Sequence, residues 1–303
     1  MRVLVTGATG FVGRWLTVEL EREGHDVVAA PPRPGLDITQ AGPVREWVAV
    51  GRPDAIVHLA AVSFGPDARR DPEEAFKVNV LGTAVVLDAA RRVPRPPVVL
   101  VTGSSEVYGS PDPDDLPLTE AAPTVPSSAY GLSKLAQEGV ALAAAHSRGV
   151  PIIVTRSFNH IGPGQRPEFV VPALAREVVA MKRGIEPVIR AGNVDVQRDF
   201  LNVRDVVRAY RLLLEEGAAG HLGEAGVVVN VASGRSVAIR SIINQLCSIA
   251  GCQPRISIEE SLVRADDPPE IRGDAALLGR LTGWAPRIPL DATLADVLEE
   301  ASR

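Results

Sequence analysis

Lysine is nearly missing from this chain: of 32 basic residues, only Lys77, Lys134 and Lys182 are lysines. Cysteine is scarce too. Cys247 and Cys252 are too few for a disulfide scaffold, and no paired Cys or His set offers a zinc site. The expectation is two reduced thiols near a C-terminal helix and no bound metal. No apolar run approaches the roughly 18 residues of a membrane span. The opening Met-Arg-Val-Leu-Val-Thr-Gly reaches glycine too early for a signal peptide, so a soluble, cytoplasmic protein is expected. Excess positive charge is also lacking: a net charge of −5 argues against a general nucleic-acid binder or a polybasic membrane-surface protein. There is no tandem repeat and no low-complexity tail. What is present is an ordinary globular composition, 46% apolar and 23% charged over 303 residues, which excludes wholesale disorder. That length suits one large or two small domains.

The first half alternates short β-branched runs with longer helical patterns. Strands are predicted over Val3–Thr6, Asp26–Ala30, Ala55–His58, Val98–Thr102 and Ile152–Arg156. They are apolar at nearly every residue, as strands covered on both faces should be. Helices are predicted over Phe11–Glu23, Val44–Val50, Glu73–Arg92 and Ser128–His146. This alternation implies a doubly wound α/β domain with a parallel sheet. The second half is less regular, with helices predicted over Val170–Met181, Val203–Glu216, Ile239–Ala250, Asp274–Leu281 and Asp291–Ala301, and strands over Pro187–Arg190 and Val227–Val231. The expected division is a dinucleotide-binding domain over 1–161 and a smaller, mixed α/β substrate domain over 162–303, with Val203–Val231 returning to the first sheet.

Thr6-Gly7-Ala8-Thr9-Gly10-Phe11-Val12-Gly13 lies between the first strand and the first helix. Glycine permits a positive φ and lets the backbone approach a pyrophosphate, which helix-start amides then hold. The spacing is G-x-x-G-x-x-G, not the G-x-G-x-x-G of the commonest dehydrogenases. Where an acidic residue would favour NAD, the second strand ends in Ala30-Pro31-Pro32-Arg33. Arg33, and after it Arg14, is either a ligand for the 2′-phosphate of NADPH or a solvated loop arginine. Asp37 and Ile38 follow and could face the adenine edge. The reading leans to NADPH over NADH.

Tyr130 and Lys134 are four apart on a predicted helix, hence on one face. An ammonium beside a phenol stabilises the phenolate and moves its pKa toward the working range. Isolated Tyr–Lys pairs at this spacing also occur as surface contacts. In a chain with three lysines, surface filler explains Lys134 less easily. Ser104, at the end of the fourth strand, is placed to hydrogen-bond a substrate carbonyl. Glu106 is either a general acid/base or a hydrogen-bonding residue of the pocket.

Together, Thr6–Gly13, His58-Leu59-Ala60-Ala61, Val78-Asn79-Val80-Leu81-Gly82-Thr83, Ser104, Tyr130 and Lys134 resemble the extended short-chain dehydrogenase/reductase superfamily, its sugar-nucleotide-modifying, NAD-dependent epimerase/dehydratase group. Ser157–Gln165, Gly192-Asn193 with Arg198-Asp199-Phe200, Val203–Tyr210 and Thr282–Leu290 are most similar to its GDP-4-keto-6-deoxy-D-mannose reductases. The resemblance implies reduction of the C4 keto group of a nucleotide-linked 4-keto-6-deoxyhexose by NADPH or NADH. Tyr130 would be the proton donor, Lys134 would lower its pKa and bind the nicotinamide ribose, and Ser104 would orient the substrate. Gly7, Thr9, Gly10, Phe11, Val12, Gly13, Arg14, Arg33, Asp37, Ile38, Leu59, Ala60, Ala61 and Asn79 would meet the cofactor. Ser63, Ser105, Glu106, Asn159, Arg198 and Arg264 would join Ser104 at the sugar nucleotide, with Arg204 and Arg272 as further candidates for its diphosphate. Glu106 stands where dehydratases carry a carboxylate, so a 4,6-dehydratase or 4-epimerase is the rival enzyme. A non-catalytic nucleotide-sensing regulator is the rival of another class. The resemblance further implies a homodimer through the helices over 73–92 and 128–146, with Val85, Leu87, Ala89, Val140, Ala141, Ala144 and Ala145 either at that interface or in the protomer's own core.

Overall fold

A computed structural model describes residues 1–223, 226–263 and 267–303. The first half builds β1 (Arg2–Thr6), α1 (Phe11–Arg22), β2 (Asp26–Ala29), α2 (Ala41–Gly51), β3 (Ala55–His58), α3 (Gly65–Arg70), α4 (Pro72–Phe76), α5 (Gly82–Ala90), β4 (Val98–Thr102), α6 (Ala129–Arg148) and β5 (Ile152–Ser157). These strands join a parallel sheet of order β2-β1-β3-β4-β5-β9, in which β9 (Val227–Val231) pairs with β5. Every residue of β3 and β5 is buried, which is why Ala55, Ile56 and Val57 and then Ile152, Ile153 and Val154 are apolar without alternation. The chain leaves β1 for β2 on one side and returns to β3 on the other. The crevice beyond the carboxyl ends of β1 and β3 is therefore a topological switch point, where such sheets hold ligands.

The second half adds β6 (Asn159–Ile161), α7 (Val170–Lys182), β7 (Ile189–Ala191), β8 (Gln197–Asn202), α8 (Val203–Ala218), β10 (Ser236–Ala238), α9 (Ile239–Ala250), β11 (Ile256–Ile258), β12 (Glu270–Ile271), α10 (Ala276–Thr282) and α11 (Leu290–Ser302). β8 is central to a small sheet with β6, β10 and β12, and β7 pairs with β11. Leu174, Val178, Ile242, Leu246, Leu294 and Val297 from α7, α9 and α11 form its own core. α8 packs its apolar face with β1, α1 and β9, on the first sheet.

The segment expected as one helix over Glu73–Arg92 is interrupted. A π-helical turn over Lys77–Leu81 separates α4 from α5. The wider turn aims Asn79 inward, where Oδ1 accepts from Val62 N at 2.8 Å and Nδ2 donates to Val62 O at 3.1 Å and Ser133 Oγ at 2.9 Å. β6, β8, β10, β11 and β12 have no strand signal, being two to six residues long and often polar. The residues named for a dimer face resolve toward the core alternative: Val85, Leu87, Ala89, Ala141, Ala144 and Ala145 are buried within the chain and Val140 packs against them, whereas Leu81 and Leu132 remain exposed. Cys247 is buried and Cys252 partly so, both as free thiols at the end of α9. No group of acidic, His and Cys residues among those described could hold a metal.

Candidate active site

β1 ends at Thr6 and the chain turns through Gly7, whose φ of +69° favours glycine and whose missing Cβ would sit 2.8 Å from Ala60 N. Gly10 begins α1 and, having no side chain, offers no acceptor to the first-turn amides. Beside this loop lies a cavity of about 290 Å³ lined by Thr6, Gly7, Thr9, Ala30–Arg33, Leu36, Ile38, Ala60–Val62, Glu74 and Val78. A cradle that a Cβ would fill, uncapped amides and a largely apolar cleft fit an adenine dinucleotide. Arg33 lines this cavity. Its Nη1 donates to Glu74 Oε1 at 2.7 Å and its Nη2 to Asp37 Oδ1 at 2.8 Å.

Arg14 is placed differently from expectation. It is absent from the cavity wall and donates to Gly164 O at 3.0 Å, because the turn after β6 folds over the start of α1. Phe11 stacks on His160 in the same contact, with ring centroids 6.1 Å apart. Val12 packs against the core, and Leu59, partly buried, begins the loop after β3. Asn79, expected at the cofactor, has both amide hydrogens and Oδ1 engaged by protein atoms and is fully buried, so it braces the Val62 loop.

Ser104, Glu106, Tyr130 and Lys134 converge at the end of β4. Ser104 Oγ accepts from Glu106 N at 3.2 Å, starting a short 3₁₀ turn, and lies near enough to the Tyr130 phenol to favour its charged form. Ser105, in that turn, is buried. Ser128 caps α6 by accepting from Gly131 N at 2.9 Å and donates to Glu106 Oε2 at 2.9 Å. Gly131 permits this approach, since a Cβ there would lie 2.7 Å from Glu106 O. Lys134 Nζ donates to Thr102 O and Gln137 Oε1, both at 2.8 Å. Gln137 Nε2 donates to Thr83 Oγ1 at 2.9 Å. His58 bridges Thr83 Oγ1 at 3.0 Å and Thr6 Oγ1 at 2.8 Å, so a buried polar chain links Lys134 to the strand under the phosphate loop.

The electrostatics differ from the simple expectation of a phenol drawn down by an ammonium. Burial, then the Glu106 carboxylate, push the Tyr130 phenol well above its ordinary value, against the opposing effect of the Ser104 hydroxyl. Burial lowers the Lys134 ammonium to about 7. The phenol is thus protonated at neutral pH.

Burial, and next the Lys134 charge, lower His58 to about 3, so it is neutral in the fold. An unfolded His58 binds a proton below its ordinary value near 6.5 while the native one stays neutral, so stability falls as pH drops from about 6.5 toward 3. Urea midpoints of wild type and His58→Asn at pH 7 and pH 5 should show a loss larger in wild type by about 2 kcal/mol. Equal losses would remove His58 from the pH response.

The residues expected at the sugar nucleotide are less tightly gathered. Asn159 Nδ2 donates to Asp199 O at 3.3 Å and Ser63 is exposed in the loop after β3. Arg198 donates to Pro268 O at 2.9 Å and pairs with Asp267. Arg264, expected beside it, lies outside the described residues. Arg204 instead pairs with Asp296 at 2.8 Å and covers the Trp15 ring, and Arg272 pairs with Glu270 at 3.1 Å, so both serve contacts within the chain. Gln137 was legible as a neighbour of Lys134 at i+3 on the same helix face. Glu74 and Thr83 carried no such signal, because their partners lie 41 and 54 residues away in the chain.

The profile of the NAD-dependent epimerase/dehydratase family matches residues 3–232. The chain belongs to that family. Among members of the family, it is 35% identical over 99% of its length, and 96% of the relative's, to GDP-6-deoxy-D-mannose reductase of Pseudomonas aeruginosa. It is 30% identical to GDP-6-deoxy-D-talose 4-dehydrogenase of Aggregatibacter actinomycetemcomitans, covering 93% of this chain and 92% of that one. A structure of RMD from Pseudomonas aeruginosa complexed with NADPH superposes with a TM-score of 0.89 at 34% identity, covering 100% of this chain and 99% of the other. The doubly wound α/β fold expected from the sequence is the fold of this family member.

Proposed function

We propose that this epimerase/dehydratase-family protein reduces the C4 keto group of a nucleotide-linked 4-keto-6-deoxyhexose, converting GDP-4-keto-6-deoxy-D-mannose to GDP-D-rhamnose with NADPH, or NADH, as reductant. The observation that carries this reading is the gathering of Ser104, Tyr130 and Lys134 at the end of β4, in a chain similar over nearly its full length to a GDP-6-deoxy-D-mannose reductase. The amides that open α1, with Gly7, Thr9, Gly10 and Gly13, hold the pyrophosphate. Ile38, Ala60 and Ala61 wall the adenosine, and Arg33 meets the 2′-phosphate. When bound, the reduced nicotinamide supplies the hydride that C4 receives. As the carbonyl becomes an alcohol, Tyr130 Oη releases its proton to O4 and Ser104 Oγ donates a hydrogen bond to the same oxygen. Lys134, braced by Thr102 and Gln137, orients the nicotinamide ribose. Asn159, Arg198 and Arg264 serve the sugar nucleotide, with arginine matched to the diphosphate.

A second reading is a 4,6-dehydratase, favoured by the Glu106 carboxylate that acts on Tyr130. One assay separates the two. With a panel of nucleotide-linked 4-keto-6-deoxyhexoses, a reductase should oxidise one added NADPH or NADH per sugar reduced. A dehydratase should convert GDP-mannose without added reductant. If no keto sugar oxidises either cofactor, the reductase reading falls.

A further inference from the structure

The cofactor cavity holds an electrostatic competition around Arg33. The guanidinium is gripped from two sides, by Asp37 at 2.8 Å and by Glu74 at 2.7 Å, and all three residues are partly exposed to solvent. The two carboxylates are anchored differently. Asp37 Oδ1 also accepts from Thr39 N at 2.9 Å and Thr39 Oγ1 at 2.8 Å, so it is fixed by its own turn. Burial alone would raise its carboxyl, but the Arg33 and Thr39 hydrogen bonds bring it down to about 2. Glu74 is held far less. It projects from the first turn of the short α4, with Lys77 Nζ 3.9 Å from its other oxygen. Glu74, unlike Asp37, lines the cavity with Arg33.

We propose that Glu74 is a selectivity-determining residue of the cofactor site, competing with a 2′-phosphate for the Arg33 guanidinium. This rests on the reading that Arg33 meets the 2′ end of the cofactor. A doubly charged phosphate must take N–H donors that Glu74 now accepts, and it enters beside that carboxylate's own charge. A 2′-hydroxyl meets neither obstacle, since it can donate to Glu74 while Arg33 stays paired. Glu74 therefore weakens NADPH binding and favours NADH, leaving a site that takes both cofactors with a narrower preference than Arg33 alone would give. The opposing carboxylate comes from α4, the second helix after β3, not from the end of β2 where an acidic selector is ordinarily sought.

The test is direct binding of NADPH and of NADH, read from nicotinamide fluorescence without a sugar substrate, to wild type, Glu74→Gln, Arg33→Ala and the double variant. Glu74→Gln should raise the NADPH-to-NADH affinity ratio about tenfold, the size expected for one charged neighbour at hydrogen-bonding range. Arg33→Ala should lower the ratio below wild type, and in that background Glu74→Gln should change it much less. An unchanged or lowered ratio in Glu74→Gln, with Arg33→Ala still lowering it, overturns the role of Glu74 and leaves that of Arg33 intact. An unchanged ratio in Arg33→Ala overturns the Arg33 reading, and the Glu74 proposal with it.

Discussion

Tyr130→Phe should lower kcat by about 10²–10⁴-fold while leaving NADPH affinity unchanged. The ring is buried against Ala68, Ala75 and Val62, and phenylalanine keeps those contacts, so the fold and the cofactor cleft should persist. What is lost is one proton donor. Burial and Glu106 keep the phenol protonated at neutral pH, and the variant has no group at that position to neutralise the developing alkoxide. Ser104→Ala should be milder, because it removes a hydrogen bond to the same oxygen but not the proton. The check is steady-state turnover of a 4-keto-6-deoxy sugar nucleotide, paired with a cofactor titration. Turnover near wild type in Tyr130→Phe would end the assignment of Tyr130 as donor. Loss of cofactor binding in step with turnover would point to a structural role instead.

The second large effect concerns stability. Glu138 lies one turn beyond Lys134 on α6 and pairs with Arg156 of β5, accepting from Nη2 at 2.6 Å and Nε at 3.0 Å. Both side chains are almost fully buried. The remaining Arg156 nitrogen donates to Tyr108 Oη at 3.1 Å and Glu120 O at 3.0 Å, and Tyr108 in turn donates to Asn230 Oδ1 at 2.7 Å. One guanidinium thus ties α6, two strands and the loop after β4 together. Glu138→Ala leaves that cation buried without its carboxylate and should cost about 3–5 kcal/mol, read as a lowered urea midpoint. Pairing it with Arg156→Met removes the orphaned charge and should recover much of the loss. A wild-type midpoint in Glu138→Ala, or no recovery in the double variant, would contradict this account.

The legible parts of the fold share one property: their determinants are close in sequence. The core strands are readable because strands covered on both faces are apolar over most of their length, and β3 and β4 run as predicted over Ala55–His58 and Val98–Thr102. β8 is not readable that way. It begins Gln197-Arg198-Asp199, and Asp199 is buried only because Ser233, Gly234 and Gly273 supply N–H donors to its carboxylate. The π-helical turn at Lys77–Leu81 is hidden for a similar reason, since Asn79 finds its partners in Val62 and Ser133.

The same division runs through the candidate site. By itself the sequence determined the glycine-rich turn before α1, the Tyr130–Lys134 spacing and the family likeness, because each depends on residues a few positions apart. Only the tertiary structure decided that Arg33 and not Arg14 lines the cavity beside the glycine turn, and that Glu74 shares it. It also decided that the Tyr130 phenol is buried near Glu106 and that Lys134 is braced through Gln137, Thr83 and His58. Protonation follows from burial and from charges such as Glu106, and ion pairing from side chains brought across the fold. Neither quantity is a function of local spacing.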